Sequence, residues 1–370
     1  MNEIKKEYFP NLDGLRFVCF LLVFFHHSFH TEVSEILNSD IHIFLKKTLF
    51  ANGNLGVNFF FVLSGFLITH LLIQERLKSS SINVKNFWIR RILRIWPLYY
   101  FCVFFGFFIF PFIKNLMGAP VSESATLFSY VTFTNNFEFI EKGLPDASIL
   151  GVLWSIAIEE QFYFVWPIIL MVISIRNYWI VFSAIILLSV VFRYFNLNYM
   201  MHEYHTLSCI GDMAIGGFGA WLIYKHGTGK IENVSRVYIV FLYLLVACIF
   251  IVRKDLYNFN LLTAIWERAA IACLFLLIIL EQNYARNSFY KFKNYKLISY
   301  LGTISYGLYC LHFIGILCVI TLTKILRFNQ NIWQVVILET LLALILTIVL
   351  AHFSYKYIES FFLKMKNRFI

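Results

Sequence analysis

Apolar segments long enough to cross a membrane recur along the whole chain and constrain its fold more than any other feature. A helix of about 20 mostly apolar residues spans the hydrocarbon core of a bilayer. Hydrophobic residues make up 60% of the sequence and charged residues only 14%, whereas soluble domains hold about 45–50% and about 25%. We therefore expect an all-α polytopic membrane protein. The windows predict about ten spans, near residues 14–30, 56–74, 96–114, 151–173, 177–195, 206–225, 236–253, 262–281, 298–323 and 332–355.

The chain carries no linker of biased composition and no repeat with a period of about 20 to 50 residues. We expect a single transmembrane domain over residues 1–370, without an appended soluble domain. The seven cysteines all fall in apolar stretches and show no paired spacing of metal ligands. We interpret them as small buried hydrophobic residues and expect no metal site.

Basic residues are concentrated in alternate connecting segments. With the amino terminus in the cytoplasm, lysines and arginines collect on the cytoplasmic side, including Lys5, Lys6 and the intervals 85–94 and 364–368. The positive-inside rule then places both termini in the cytoplasm and the protein in the cytoplasmic (inner) membrane. This asymmetry accounts for much of the net charge of +10, so we expect no nucleic-acid partner.

The first span carries ionisable residues along one face. Arg16 and His27 are eleven residues apart, which is three helical turns and roughly 16 Å along the axis. They therefore share a face, while His26 points about 100° away. Ionisable side chains within a membrane usually face a bundle interior or an aqueous cavity. The alternatives are an anchoring role for Arg16 at the helix end and an interfacial position for His27.

The segment after the second span is the most basic part of the chain. Its sequence, KNFWIRRILRIWPLY, predicts a cytoplasmic amphipathic helix with Arg90, Arg91 and Arg94 on one arc. Clustered guanidinium groups match phosphate oxygens bidentately, so they suit a nucleotide-bearing donor such as coenzyme A. A surface anchor that binds anionic membrane lipid is the alternative.

The fourth span adds a carboxylate. Ser155 and Glu159 are one turn apart on one side, and the adjacent Glu160 points elsewhere and is expected to find its own partner. Glu159 is expected at a depth comparable with His27, where a carboxylate and an imidazole can form an acid/base or orienting pair.

Ser64 lies near mid-membrane in the second span, where it packs against a neighbouring helix or contacts a ligand.

Polar-tipped aromatic residues line one side of the ninth span. Tyr306, Tyr309 and His312 follow one another at three-residue steps. They suit a wall that binds a sugar or carbonyl, and equally a hydrogen-bonded packing seam.

Other charged residues within or beside spans are expected to be paired. Asp212 in the sixth span lines a cavity or forms a structural pair, and Arg193, Glu267 and Arg268 suit interfacial pairs. Glu359 is expected to be a salt partner of the nearby basic patches.

Seven segments of the chain form a recognisable set: LDGLR followed after ten residues by His27, GVNFFFVLSGFLI, FWIRRILRIWPLYY, LWSIAIEEQFYFVWP, TLSCIGDMAIGGFGAWL, ISYGLYCLH and YIESFF. Together they resemble the acyltransferase-3 family, the multi-pass membrane O-acyltransferases best known for acetylating bacterial surface polysaccharides. The last segment, YIESFF, departs from the family pattern, because Phe361 stands where proline is usual.

The resemblance implies an acyl donor, usually acetyl-coenzyme A, on the cytoplasmic side and an acceptor hydroxyl on the outer side. By motif match, Arg16 and His27 take the essential positions of the first span. Arg91 and Arg94 take those of the basic helix, and Glu159 takes that of the fourth span. The resemblance extends over nearly the whole chain.

These residues predict an O-acyltransferase that moves an acyl group, by preference acetyl, from cytoplasmic acyl-coenzyme A to an extracytoplasmic glycan or lipid-linked sugar. A transporter or flippase of lipid-linked sugar, using the same intramembrane residues, is the alternative. The sequence leaves open whether the protein forms a homo-oligomer. It also leaves open whether His27 acts as general base or carries the acyl group. The expected donor-binding residues are Arg16, Arg90, Arg91 and Arg94. The expected catalytic residues are Arg16, His27 and Glu159, and Glu159 is expected to orient the imidazole of His27. The expected substrate-binding residues are Ser64, Ser155, Tyr309 and His312, and we expect Ser64, Tyr309 or His312 to donate a hydrogen bond to the oxyanion.

Overall fold

The computed structural model describes residues 9–369, and every regular element in this part of the chain is a helix. The predicted basic residues Lys5 and Lys6 lie outside the described residues. Ten long helices form the body of the fold. They are α1 Pro10–His27, α2 Leu55–Ser79, α3 Val84–Leu116, α4 Ser148–Val172, α5 Ile175–Phe195, α6 Thr206–His226, α7 Arg236–Phe259, α8 Leu261–Tyr284, α9 Ser305–Leu326 and α10 Gln334–Lys366.

Helices α2 to α10 are nine helices, within residues 9–369, that are long and apolar enough to cross a membrane. The first predicted span, near residues 14–30, corresponds to α1, where polar residues at both ends, among them Asp13, Arg16 and His27, set it apart from these nine. The structure thus confirms an all-α polytopic membrane protein. Short helices in the connections are Ser34–Leu37, Asp40–Ile43, Phe44–Leu49, Leu127–Val131, Asn135–Lys142, Tyr199–Tyr204, Gly229–Glu232 and Lys296–Thr303.

Local sequence signals explain several helix ends. Helix α1 begins at Pro10, where proline sits in the first turn and its missing N–H goes unused. Helix α8 begins with a capping box, in which the side chains of Asn260 and Thr263 each bond the backbone of the other residue. The two longest helices, α3 and α10, contain π-helical turns at Phe105–Ile109 and Tyr355–Glu359.

Helices α2 and α6 cross with their backbones in contact. A Cβ atom added to Gly65 would lie 2.0 Å from the carbonyl oxygen of Met213, and one added to Gly216 would lie 2.0 Å from that of Val62. Only glycine permits this approach, so the glycines at these positions serve helix packing. This central pair fixes the side of α2 that carries Ser64.

The helices differ widely in the share of their apolar surface that is buried inside the protein. In α2, 78% of the apolar window is buried, whereas in α7 the figure is 11%. The exposed apolar surface of α7 is the kind that lipid covers. Three of the seven cysteines, Cys248, Cys273 and Cys318, are exposed on such faces. The expectation that all cysteines are buried is therefore wrong, because an apolar side chain needs no burial in protein where the surroundings are lipid.

A set of charged side chains, which we call the buried ion network, links the helices α5, α6, α7 and α8. Arg268 Nη2 lies 2.8 Å from Asp212 Oδ2. The predicted pairing is confirmed for Arg193 and Glu267, which approach to 3.3 Å. Arg193 and Arg268 are among the largest fully buried side chains. Asp212 forms a structural pair, one of the two interpretations that its sequence position allowed. The network consists of Arg193, Glu203, Asp212, Arg253, Glu267 and Arg268.

Candidate functional site

A cavity of about 110 Å³ opens between α1, α2, α3, α4 and α9. We call it the arginine cavity. Its position is set by the glycine contact of α2 with α6, which presents Ser64 to α4, and by α3, whose first turns bring two arginines to the same space. Its polar lining residues are Arg16, Ser64, Arg91, Arg94, Ser155, Glu159, Tyr163, Ser305, Tyr306 and Tyr309.

Glu159 is held by hydroxyl groups on the wall of this cavity. Its Oε1 accepts a hydrogen bond of 2.7 Å from Ser64 Oγ, and Tyr163 OH donates to Ser64 Oγ at 3.3 Å. Ser64 therefore contacts a catalytic candidate, but its proton is committed to Glu159, which removes it as an oxyanion donor. Tyr163 was not singled out from the sequence, although it follows Glu159 by one helical turn on the same face.

Three guanidinium groups face the cavity. Arg16 Nη1 donates to Asp13 Oδ1 at 2.7 Å. Arg91 lies over the rings of Phe87 and Tyr163, at 5.4 and 5.5 Å from their centroids. Its buried Nε has no hydrogen-bond partner in the described part of the chain.

Arg90 does not join these groups. Its Nη2 donates to Glu75 Oε2 at 3.0 Å and its Nη1 to the carbonyl oxygen of Phe369 at 2.8 Å. The expectation that Arg90 binds donor phosphates is therefore wrong. Residues 90 and 91 point about 100° apart on a helix, so the side facing the cavity takes Arg91 and leaves Arg90 for α2 and the carboxyl-terminal segment.

Two further glutamates each accept a hydrogen bond from a neutral donor. Glu160 Oε2 accepts from Trp96 Nε1 at 2.9 Å, which confirms that Glu160 has a partner of its own. Glu359 Oε1 accepts from Ser354 Oγ at 3.1 Å. Among the described residues no lysine or arginine forms a direct salt bridge with Glu359, although Arg94 of the basic helix is close enough to act on it electrostatically.

The ninth-span residues Tyr306 and Tyr309 form the hydrogen-bonded packing seam that was one of the two interpretations of this span. Tyr309 OH shares a hydrogen bond of 2.7 Å with Ser155 Oγ and donates to the carbonyl oxygen of Val152 at 3.0 Å. Tyr306 OH donates to the carbonyl oxygen of Ile95 at 2.7 Å. Both tyrosines and Ser155 also line the arginine cavity. The same residues therefore hold the helices together by hydrogen bonds and form part of the cavity wall.

His27 and Glu159 have different neighbours. The His27 ring centroid is 5.3 Å from that of His312 and 4.7 Å from that of Phe313, whereas Glu159 bonds Ser64 and lines the same cavity as Arg16. Among the described residues no hydrogen bond or ion pair joins His27 to Glu159, so the structure does not contain the predicted pair.

The end of α1 next to His27 is held by a lysine. Lys46 Nζ donates to the carbonyl oxygens of His26 and Ser28 at 2.9 and 2.7 Å. A cation is favoured at a helix carboxyl terminus because of the helix dipole. Burial lowers the pKa of Lys46 to about 8.

A second cavity, of about 200 Å³, lies beside His30 and the residues that follow His312 on α9. We call it the apolar cavity. Apart from His30 and Ser148 its lining is hydrocarbon, contributed by Phe105 and Phe110 of α3 and by residues 313–320 of α9.

Within the described residues, no group of three or more His, Cys, Asp or Glu side chains is placed to hold a metal ion.

Fold and site together define a class: a multi-pass membrane protein with a cationic, carboxylate-bearing cavity on one side of a histidine pair and an apolar cavity on the other. The chain belongs to the family described as an acyltransferase domain, whose model matches residues 9–355. This confirms the predicted family over nearly the whole chain.

Relatives with curated names agree with the family. The chain is 28% identical to peptidoglycan O-acetyltransferase OatA of Listeria monocytogenes, over 96% of this chain and 56% of that protein. It is 34% identical to a Bacillus subtilis protein provisionally named peptidoglycan O-acetyltransferase YrhL, over 45% of this chain and 24% of the relative. The chain thus spans little more than half the length of the curated relatives that it matches from end to end. No solved structure matches the chain.

Proposed function

We propose that the protein is a membrane O-acetyltransferase that transfers an acetyl group from cytoplasmic acetyl-coenzyme A to a hydroxyl of an extracytoplasmic glycan or lipid-linked sugar in the inner membrane. The observation that carries this proposal is the arginine cavity, in which guanidinium groups outnumber their carboxylate partners, in a chain of the acyltransferase family. An anionic ligand would supply the missing negative charge. The names of the relatives favour a cell-wall glycan as acceptor.

The residues of the arginine cavity fit the donor. Arg91 and Arg94 lack a carboxylate within salt-bridge distance among the described residues, and the Nε of Arg91 is buried without a partner. Buried donors without acceptors are unfavourable, so they favour a ligand that accepts hydrogen bonds. Phosphate oxygens do so bidentately. Arg16, already bonded to Asp13, adds a third positive charge.

The dimensions of the donor fit transfer along α1. Arg16 and His27 are roughly 16 Å apart along the helix axis. A pantetheine arm is roughly 15–20 Å long at about 1.3 Å per bonded atom. A donor held by its phosphates at the arginines therefore places its thioester near the histidines, where the acceptor hydroxyl is proposed to react.

In this mechanism each group has a separate task. His27 removes the proton from the acceptor hydroxyl. Glu159, held by Ser64, places a fixed negative charge beside the arginines and keeps their guanidinium groups turned into the cavity. Tyr309 keeps its place as a substrate-binding residue on the cavity wall, but its one proton is donated to the Val152 carbonyl, as that of Ser64 is to Glu159, so neither hydroxyl is assigned as the oxyanion donor.

The test uses purified protein in proteoliposomes, supplied with acetyl-coenzyme A and a soluble muropeptide on the opposite side. We expect free thiol to accumulate over many turnovers only when both substrates are present, and mass spectrometry to find one added acetyl group on the acceptor. A His27→Ala variant that inserts normally should lose both signals. Binding of the muropeptide or a lipid-linked sugar without any thiol release would contradict the proposal and favour the transporter.

A further inference from the structure

His312 is buried in a way that leaves one polar atom unused. The side chain is 0% exposed, and its Nδ1 lies 2.6 Å from the carbonyl oxygen of Tyr309. Its Nε2 has no hydrogen-bond partner among the described residues. Leaving a buried polar atom without a partner is unfavourable, and such atoms in native proteins often serve catalysis.

The hydrogen bond fixes which nitrogen is free to react. A carbonyl oxygen only accepts, so Nδ1 must carry the proton. In the neutral ring the lone pair is therefore on Nε2, which can act as a nucleophile or base and has no proton to donate. This excludes the neutral His312 as the oxyanion donor that the sequence suggested. By contrast, neither ring nitrogen of His27 has a hydrogen-bond partner within residues 9–369, so nothing there fixes its tautomer.

His312 contacts one residue of each cavity wall. Its ring centroid is 6.0 Å from that of Tyr309, which lines the arginine cavity. It is also 4.7 Å from that of Phe313, which lines the apolar cavity. The His27 ring lies 5.3 Å from that of His312. A group that passes from one cavity to the other along α9 passes His312.

We propose that His312 carries the acyl group between the cavities as an acyl-imidazole, and that His27 activates the acceptor hydroxyl on the far side. This inference rests on the proposed function. It assigns the covalent role to the histidine whose lone pair is fixed and the general-base role to the half-buried histidine beside it.

The two steps balance as follows. The Nε2 lone pair of His312 attacks the thioester carbonyl, the C–S bond breaks, and coenzyme A leaves as a thiolate while Nδ1 keeps its proton. The acceptor hydroxyl then attacks the acyl carbon, its proton passes to His27, and the C–N bond breaks to restore neutral His312. His27 releases that proton and the thiolate gains one, so the sum is thioester plus alcohol giving ester plus thiol.

A covalent carrier makes the first step reversible without acceptor. The experiment supplies proteoliposomes with acetyl-coenzyme A and isotopically labelled coenzyme A, omits the acceptor, and measures the label that enters acetyl-coenzyme A. We expect the wild type to exchange. His312→Ala should lower exchange at least about 100-fold, because it removes the nucleophile. His27→Ala should keep exchange and lose transfer to acceptor. His226→Ala, at an exposed helix end, is the matched control and should change neither.

The outcomes separate this inference from the proposed function. Full transfer to acceptor by a wild-type protein that shows no exchange would overturn the His312 carrier and leave the acetyltransferase intact. This result needs no variant and so does not depend on whether His312→Ala folds. His312→Asn, which can still donate to the Tyr309 carbonyl, is the second variant, and exchange at the wild-type rate in it would also overturn the carrier. A wild type that neither releases thiol nor acetylates acceptor would refute the proposed function itself.

Discussion

The structure contains two groups of arginines within the helical bundle, and they differ in how their charge is balanced. In the buried ion network three arginines face three carboxylates, with contacts such as Arg253 Nη2 to Glu203 Oε1 at 2.5 Å. In the arginine cavity, Arg16 is paired with Asp13, while Arg91 and Arg94 have no ion pair among the described residues. The first group is closed on itself, and the second is open to a cavity.

The difference shows how to separate structural from functional charges in a membrane protein. Removing a charge from water is expensive, so a buried arginine persists only with a partner. Where the protein supplies the partner, as in the buried ion network, the arginine ties helices together. Where the protein leaves it out, as at Arg91 and Arg94, a ligand is the expected partner. Intramembrane position alone does not distinguish the two.

The largest effect should come from breaking the closed group. Arg268→Ala leaves the buried Asp212 without its partner, which should destabilise the protein by about 3–5 kcal/mol. Thermal unfolding of detergent-purified protein, followed by intrinsic fluorescence, measures this. The double variant Arg268→Met with Asp212→Leu replaces the pair by apolar side chains and should recover most of the loss. A single variant as stable as the wild type would show that the network does not hold the helices together.

A smaller effect, and of a different kind, should follow in the open group. Arg94→Gln removes a charge that awaits a ligand, so stability should stay near that of the wild type. The Kd for coenzyme A should rise about 10- to 100-fold, as expected for losing one charge-assisted contact. Calorimetric titration of purified protein measures it.

The matched control for that prediction is Arg90→Gln. Arg90 is four residues away on the same helix, but its side chain bonds Glu75 and the Phe369 carbonyl outside the cavity. We expect a change in Kd of at most about twofold, because a partly exposed pair of this kind contributes little. Equal losses in Arg90→Gln and Arg94→Gln would mean that general positive charge, and not the cavity, attracts the donor.

Glu159→Gln should sharpen the contrast further, with an effect on catalysis. The substitution keeps the shape and an acceptor for Ser64, but it removes the negative charge from the arginine cavity. Donor affinity should not fall, since the cavity becomes more positive, while kcat should drop about tenfold or more as the guanidinium groups lose their fixed counter-charge. Steady-state kinetics with varied acetyl-coenzyme A separates the two. A raised KM with unchanged kcat would contradict this role.

The smallest effect concerns a third kind of pair, which is only partly buried. Lys114 Nζ lies 2.7 Å from Asp146 Oδ2 and closes the segment 117–147 between α3 and α4. Partial burial raises the pKa of Asp146, but hydrogen bonds from Lys114 and Ser122 outweigh it, so the net pKa lies below the ordinary 3.8. Its stabilising contribution is therefore complete above that value and is lost as the pH falls through the lower folded value.

Limited proteolysis across an acidic pH series measures this opening. We expect cleavage within segment 117–147 to increase only at the acidic end, and Asp146→Asn to show the increased cleavage already at neutral pH. Cleavage of the wild type that is independent of pH would mean that other contacts, such as those of Glu138 with Lys142 and Thr126, close the segment alone.

The sequence predicts most of this arrangement and misses the parts that depend on distant neighbours. Hydropathy located the spans, and motif resemblance selected Arg16, Arg91, Arg94 and Glu159, which share one cavity. Arg90 was misassigned because helical position does not say which neighbour a face meets.

The buried ion network could not be foreseen either. Its partners are far apart in sequence, as with Arg193 and Glu267, and nothing local to either residue specifies the other. The pairing of Glu159 was mispredicted for a related reason, because counting residues along two helices does not say which side chains meet, and Glu159 bonds Ser64.

The most direct test of the account is a density map of the protein bound to a thioether analogue of acetyl-coenzyme A, which cannot transfer its acyl group. We expect the phosphates within hydrogen-bond distance of Arg91 and Arg94, and the acyl end beside His27 and His312. Density for the phosphates on another surface, with the arginine cavity empty, would contradict the claim that these unpaired arginines bind the donor.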